Sequence, residues 1–397
     1  MKDLKAALDR VLLDEVERND APGNGLLVYH KGREVYRGTF GTDSISKGTP
    51  FTDKLIFRWC SMTKPVTAVA VNQLIERGVI KLTDPVGKYI PSFLKQSVYT
   101  ENGPVPAKTQ MTIWHLLHMV SGLDYPHPYN PVAKLVMEYY AELEGDDPEV
   151  KRDTVSICTR LGELPLLYEP GTVWTYSTSA DVLGAIVELA SGMKFSEYLK
   201  KNILLPLGME DTDFFIPEEK WDRFAAMYTR EEDGSYREWD PIFLGMKDRH
   251  YRQPFESGGA GLNGTMDDYA KLALTLLNDG TLPAEFSRDG KSVTLLKPET
   301  VKRMRTASLD GEQRKGMNWE SLVGFNYGDL MRVLDTPEGC GYSPAFPGEF
   351  GWDGWTGNYV MMDPANDLTF VYFIQIGNGS RPVMYNRIKQ TIYDNIL

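Results

Sequence analysis

Hydrophobic and polar positions divide the chain into two sheet-like ends and a helical middle. Near the start, Gly25-Leu26-Leu27-Val28-Tyr29-His30 and Glu34-Val35-Tyr36-Arg37-Gly38-Thr39 flank Lys31-Gly32-Arg33, a hairpin signal. Near the end, Gly357-Asn358-Tyr359-Val360-Met361-Met362 and Leu368-Thr369-Phe370-Val371-Tyr372-Phe373-Ile374 flank a turn at Asp363 to Asp367, and a last helix is expected from Pro382. Leu4, Leu8, Val11 and Leu12 form one stripe of an N-terminal surface helix. Helical segments are expected at Thr112 to Val120, Ser179 to Ser191, Lys194 to Asn202 and Met266 to Asn278, separated by Pro- and Gly-rich connections. Two sheet-forming ends are most simply joined into one sheet. The reading is an α/β (α+β) fold: an antiparallel sheet flanked by helices, built from residues 1–85 and 295–397, with 86–294 inserted as a mainly helical domain and the active site between them.

Composition narrows the function classes. The 55 acidic and 43 basic residues leave a formal charge of -12, and no long basic run exists, so neither nucleic acid nor an anionic membrane is an expected partner. No window reaches the run of about 18 apolar residues that a membrane span needs. Charges interrupt the first ten residues, which is unlike a signal peptide. The three cysteines, Cys60, Cys158 and Cys340, are odd in number and lack C-x-x-C spacing. A cytoplasmic protein with reduced, buried thiols is expected.

Three patterns invite a chemical reading. Gly259-Ala260-Gly261-Leu262-Asn263-Gly264 has G-x-G-x-x-G form, but Arg252 to Ser257 before it is no buried strand, so these glycines are expected to lead into the helix near Met266. His115 and His118 lie three apart, yet no H-E-x-x-H acid accompanies them, and structural histidines are expected rather than a metal site. S-x-x-K occurs four times, at Ser44, Ser61, Ser92 and Ser191. Only Ser61-Met62-Thr63-Lys64 opens a long apolar helix, with Pro65 fixing its start near Ser61. There Ser61 and Lys64 share a face, and Lys64 continues a stripe of Ala68, Val71 and Ile75. A serine hydroxyl is a weak nucleophile until a base takes its proton, and burial lowers a lysine pKa toward neutrality.

The surrounding segments resemble the serine β-lactamase and penicillin-binding-protein superfamily, in particular its class C β-lactamase-like branch with the family VIII carboxylesterases. The resemblance is carried by Ser61-Met62-Thr63-Lys64, His115 to Leu123, Pro170-Gly171-Thr172-Val173-Trp174-Thr175-Tyr176-Ser177-Thr178 and Leu205 to Thr212, in the expected order. It implies Ser61 as nucleophile, Lys64 and Tyr176 as the proton-shuttling pair, and no metal or organic cofactor. Thr178 stands where lactamases carry Asn. The family's strand triplet, K-T-G in lactamases, maps onto Trp352-Asp353-Gly354, with Trp355-Thr356-Gly357 as the other register. In the first register, the backbone N–H groups of Ser61 and Trp355 are the implied oxyanion hole, and Trp352, Asp353, Gly354 and Thr178 the implied substrate contacts. The expected activity is hydrolysis of small-molecule esters through an acyl-enzyme. A β-lactamase, a D-amino-acid peptidase and an acyltransferase stay open within the superfamily, as does a non-catalytic penicillin-binding sensor. The oligomeric state is not legible.

Overall fold

In the computed structural model, which describes residues 3–145, 147–240, 244–246 and 249–397, both ends of the chain build one sheet. The first hairpin forms as β1 (Gly23–His30) and β2 (Arg33–Ser44), followed by a short β3 (Thr49–Pro50). The C-terminal part supplies β4 (Phe325–Tyr327), β5 (Arg332–Leu334), β6 (Phe350–Asp353), β7 (Tyr359–Asp363) and β8 (Leu368–Phe373). The eight strands run in the order β4-β5-β6-β7-β8-β1-β2-β3. At its centre β1 pairs antiparallel with β8, Gly25 opposite Phe373 and Leu27 opposite Val371. The chain ends are thereby locked together by main-chain hydrogen bonds.

Six long helices pack on the sheet or border the site among the described residues: α1 (Leu4–Glu17), α2 (Thr63–Glu76), α3 (Pro131–Glu144), α4 (Ser179–Ser191), α5 (Met266–Leu277) and α6 (Pro382–Ile396). Successive strand side chains point to opposite faces, and here both faces are covered. Leu26, Val28, Phe370 and Tyr372 pack with Leu8, Leu12, Tyr385 and Ile388 of α1 and α6. Leu27, Val371 and Phe373 belong to the larger core shared with α2, α4 and α5. Covered on both sides, β7 and β8 are buried throughout, which is why they read as continuous apolar runs instead of alternating ones. Although α5 lies within the central span of the sequence, it packs on β7 and β8.

The helix that opens at the S-x-x-K motif is the centre of the molecule. Thr63 through Leu74 of α2 are all buried, between α4 on one side and β6 on the other. The expected apolar stripe is therefore only part of the reason that Lys64 is inside: α2 has no solvent face over its first three turns. Its polar side chains are each satisfied, as burial demands. Thr67 Oγ1 donates to the Gly258 carbonyl at 2.7 Å, and Asn72 Nδ2 donates to Asp329 at 2.9 Å.

Among the described residues no helix is long and apolar enough to cross a membrane. The three cysteines are free and buried.

One buried ion pair ties α6 to the strand that reaches the site. Lys389 Nζ donates to Glu349 Oε1 at 2.6 Å, the two side chains being 1% and 0% exposed, and Tyr342 donates to the other carboxylate oxygen. Glu349 immediately precedes β6. Removing one member of such a pair leaves an uncompensated charge in the interior, which costs about 3–5 kcal/mol. Lys389→Ala is accordingly expected to lower unfolding free energy by about that amount, read as a shift of the urea midpoint at unchanged slope.

Candidate active site

Ser61 lies in a single 3-10 turn, Cys60–Met62, that runs directly into α2. The residue before it, Cys60, has φ +49, a left-handed conformation that costs a non-glycine residue about 1–2 kcal/mol. The turn is held from several sides. Trp59 N–H donates to the Leu262 carbonyl at 3.0 Å, Thr63 Oγ1 accepts from Leu262 N–H at 3.1 Å, and the Trp59 indole donates to the Gly264 carbonyl at 3.0 Å. Its neighbours Cys60 and Met62 are buried, whereas Ser61 stays partly accessible.

One turn along, the Lys64 ammonium nitrogen is 3.1 Å from Ser61 Oγ, 3.1 Å from the Tyr125 hydroxyl and 2.8 Å from the Gly259 carbonyl. The side chain is 0% exposed. Burial pushes its pKa down to about 7, against the opposing pull of Asp181, Cys60 and Asp353. An amine in this state is unprotonated in a sizeable fraction at neutral pH and lies within reach of the serine proton.

Tyr176 closes the other side. Lys64 Nζ is 4.5 Å from the centroid of its ring, and Trp352 donates its indole N–H to the Tyr176 hydroxyl at 3.2 Å. Burial pushes the phenol up, while hydrogen bonds with Ser61 and Trp352 pull it back. The ring is wedged against Trp319 at 5.0 Å and Trp352 at 5.5 Å between centroids, a cage that fixes the hydroxyl.

The strand-triplet residues reach the site, each in its own way. Trp352 is 1% exposed and uses its one polar atom on Tyr176. Asp353 pairs with the buried Arg332 at 3.2 Å. Gly354 lies so close to the nucleophile turn that a Cβ there would be 2.6 Å from the Trp59 carbonyl oxygen, so only glycine lets β6 approach Ser61. Trp355 follows and borders the same space as Ser61. Thr178 is not brought to the cavity. It occupies the N-cap position of α4 without a side-chain capping bond, fully buried, with its hydroxyl 3.5 Å from the Asp124 carbonyl.

Three contributors escaped the sequence reading. Tyr125 donates or accepts at Lys64 from a loop with no motif of its own. Gly259 lends its carbonyl to the same amine, so the glycine run does more than lead into α5: it forms a wall of the site before pairing at Asn263–Gly264 with Phe57–Arg58. Asp181 of α4, 2% exposed, accepts from the Ser257 hydroxyl at 2.5 Å and from Gly259 N–H at 3.0 Å, which holds that wall in place. Tyr125 is the first aromatic after Ser121-Gly122-Leu123, and Asp181 follows Tyr176 by five residues, but neither spacing is diagnostic alone. The remaining S-x-x-K serines lie elsewhere: Ser44 bonds Glu238, Ser92 lies in the 3-10 helix Pro91–Lys95, and Ser191 ends α4 before the left-handed Gly192. His115 caps its own helix through Thr112, and His118 stacks on Trp114 at 4.3 Å beside Asp329. Among the described residues no group of three or more His, Cys, Asp or Glu could hold a metal ion.

Two chambers meet at Ser61, Tyr176 and Trp355. One, about 450 Å³, is largely apolar and bordered by Tyr125, Met137, Tyr140, Glu144, Leu244 and Ala260. The other, about 440 Å³, is bordered by Trp319, Glu320, Trp352, Asp353, Asn378 and Ser380. A reacting carbonyl at their junction would have a group on either side, with the hydroxyl, the amine and the phenol converging on it.

The family model described as Beta-lactamase matches residues 8–392. Protein Rv1367c of Mycobacterium tuberculosis is 32% identical over 360 residues, covering 88% of this chain and 84% of its own. Esterase EstB of Burkholderia gladioli is 30% identical over 381 residues, covering 92% and 89%. Among solved structures, EstCE1, described as a hydrolase with promiscuous acyltransferase activity, superposes with a TM-score of 0.80 at 24% identity over 99% of both chains, which establishes the shared fold. With the family model spanning nearly its whole length and a 30% identical relative covered almost end to end, this chain belongs to the β-lactamase family.

Proposed function

We propose that this chain is a serine hydrolase that cleaves small-molecule esters through an acyl-enzyme. The observation that carries the reading is the buried Lys64 amine, held at about pKa 7 and 3.1 Å from Ser61 Oγ. Ser61 Oγ attacks the ester carbonyl as its proton passes to the Lys64–Tyr176 pair. The backbone N–H groups of Ser61 and Trp355 receive the oxyanion. Tyr176, oriented by Trp352, returns the proton to the departing alkoxide, and the C–O bond breaks to release the alcohol. Water then attacks the acyl-enzyme with the same pair as base, restoring Ser61 and releasing the acid. The esterase name of EstB supports the choice of substrate. Replacing water by an alcohol in the last step gives acyl transfer, a second reading favoured by the second chamber beside Ser61 and by the description of EstCE1. The reading includes division of the chain into 1–85 with 295–397 and 86–294, the cleft lying between, and a cytoplasmic location consistent with three free cysteines.

A fluorophosphonate probe is expected to add one label by intact mass. Ser61→Ala removes it, and Tyr176→Phe lowers turnover about a hundred-fold or more with the fold intact by circular dichroism. Labelling that survives in Ser61→Ala would refute the nucleophile.

Because the free amine is the base, kcat/KM should rise with pH through about 7 as Lys64 loses its proton. The linked stability effect has a defined sign. The folded pKa lies below the unfolded value of about 10.4, so folding disfavours the proton, and the cost is full below about pH 7 and gone above about pH 10. Compared with Lys64→Met, the wild type is therefore expected to gain unfolding free energy by roughly 1 kcal/mol per pH unit between these limits. A difference independent of pH across that range would show that Lys64 is not depressed.

Neutral p-nitrophenyl esters should exceed a chromogenic cephalosporin in kcat/KM. Trp352 replaces the lactamase lysine, and a lost charge-assisted contact to the antibiotic carboxylate is worth about 1.5–3 kcal/mol. A wild type that prefers the cephalosporin would replace the esterase reading with a lactamase one.

A further inference from the structure

Among the described residues, those that border the two chambers include Glu144, Glu320 and Asp353 and no lysine or arginine, the buried Lys64 lying behind Ser61 and Tyr125. Asp353 is matched by Arg332 and Glu320 is exposed on a surface turn. Glu144 is different. Met137, Tyr140, Ala141 and Glu144 recur at i, i+3, i+4 and i+7 along α3 and form its face toward the apolar chamber, so the carboxylate ends an otherwise apolar stripe. It is half-buried, and among the described residues no cation pairs with it. Arg152, at the same end of α3, spends its N–H groups on the carbonyls of Leu143, Asp147, Val150 and Gly145. Around the chamber stand the rings of Tyr125, Tyr140, Tyr176 and Trp355. Aromatic faces beside one unpaired carboxylate attract an organic cation, whose methyl or methylene shell suits the apolar wall while its charge meets the carboxylate.

We propose that this enzyme selects esters whose acyl group ends in an ammonium centre, held in the apolar chamber between these rings and Glu144. The proposal rests on the ester-hydrolase reading and specifies its substrate. The acyl chain occupies the α3 side because Tyr176, the proton donor to the leaving alcohol, is oriented by Trp352 from the opposite chamber. The net charge of -12 favours the approach of cations to the protein over that of carboxylates.

The test compares p-nitrophenyl esters of trimethylammonio-alkanoic acids of graded length with the neutral isosteres in which a tert-butyl group replaces the trimethylammonium. In wild type the cationic ester at the best length is expected to exceed its isostere about ten-fold in kcat/KM. Glu144→Gln should reduce that ratio to near one, and Glu144→Lys should invert it. Glu142→Gln, which makes the same charge change on the exposed side of α3, should leave the ratio at the wild-type value. A ratio near one in wild type, a ratio unaltered by Glu144→Gln, or an equal fall in Glu142→Gln would each overturn the proposal. Calorimetric binding of hexyltrimethylammonium, expected in wild type and weakened about ten-fold in Glu144→Gln, separates this proposal from the reading beneath it. Turnover of neutral esters without Glu144-dependent ammonium binding removes the cation selectivity alone. Glu144-dependent ammonium binding without ester turnover removes the hydrolase and keeps the cation site.

Discussion

A primary amine with no solvent access, placed one helical turn from a serine hydroxyl, is the constraint around which the rest of the molecule is arranged. In water that amine would be protonated and useless as a base. Inside, desolvation takes its pKa to about 7, and the fold must meet the cost. Three acceptors surround the nitrogen so that it is hydrogen-bonded in either protonation state. Asp181 and Asp353 stand near enough to temper the shift without forming an ion pair with it. A direct carboxylate partner would hold the proton and abolish the base.

Keeping α2 free of water requires layers on every side, and those layers explain the topology. The sheet covers one flank through β6, α4 covers another, and the glycine-rich Gly258–Gly261 segment seals the end where Lys64 emerges. Asp181 and Thr67 pin that segment from beneath. Since β6 pairs with β7, and β7 joins through β8 to β1, the position of Trp352 against Tyr176 depends on pairing between the two ends of the chain. The ion pair of Lys389 with Glu349 fixes the same strand from the opposite face. Distant elements thus set the orientation of one phenol.

The same aromatic surroundings serve two purposes. Trp319, Trp352 and Tyr125 exclude water from the base and immobilise Tyr176, and with Tyr140 and Trp355 they give the chambers large apolar walls. Pre-organisation of the proton path and selection of the substrate are therefore coupled: substitutions that widen a chamber also loosen the phenol.

How much of this was legible beforehand follows from the range of each interaction. The two hairpins, the terminal helices and α4 and α5 are written in local periodicity and turn residues, so their places could be read within a few positions. Ser61 and Lys64 were also legible, because their relation is one helical turn and Pro65 marks the helix start. Tyr176 was reached through the resemblance of its flanking segment, since nothing local distinguishes a catalytic tyrosine from a packed one. Other features depend on contacts between residues far apart in sequence. The apolar stripe under Lys64 was visible, but its complete burial comes from α4, β6 and the 258–261 segment closing on α2 together. By its place in the motif Thr178 was expected to face substrate, yet the fold buries it at the start of α4, with its hydroxyl toward the Asp124 carbonyl. Tyr125, Gly259 and Asp181 carry no signal in one dimension, because their roles exist only where three separate segments meet at one nitrogen. The sequence by itself determined the elements and the reactive pair, through spacings of a turn or a strand. The burial that makes the pair reactive, and the chambers that choose what reacts, were decided by tertiary packing, because desolvation is a property of everything that surrounds a group.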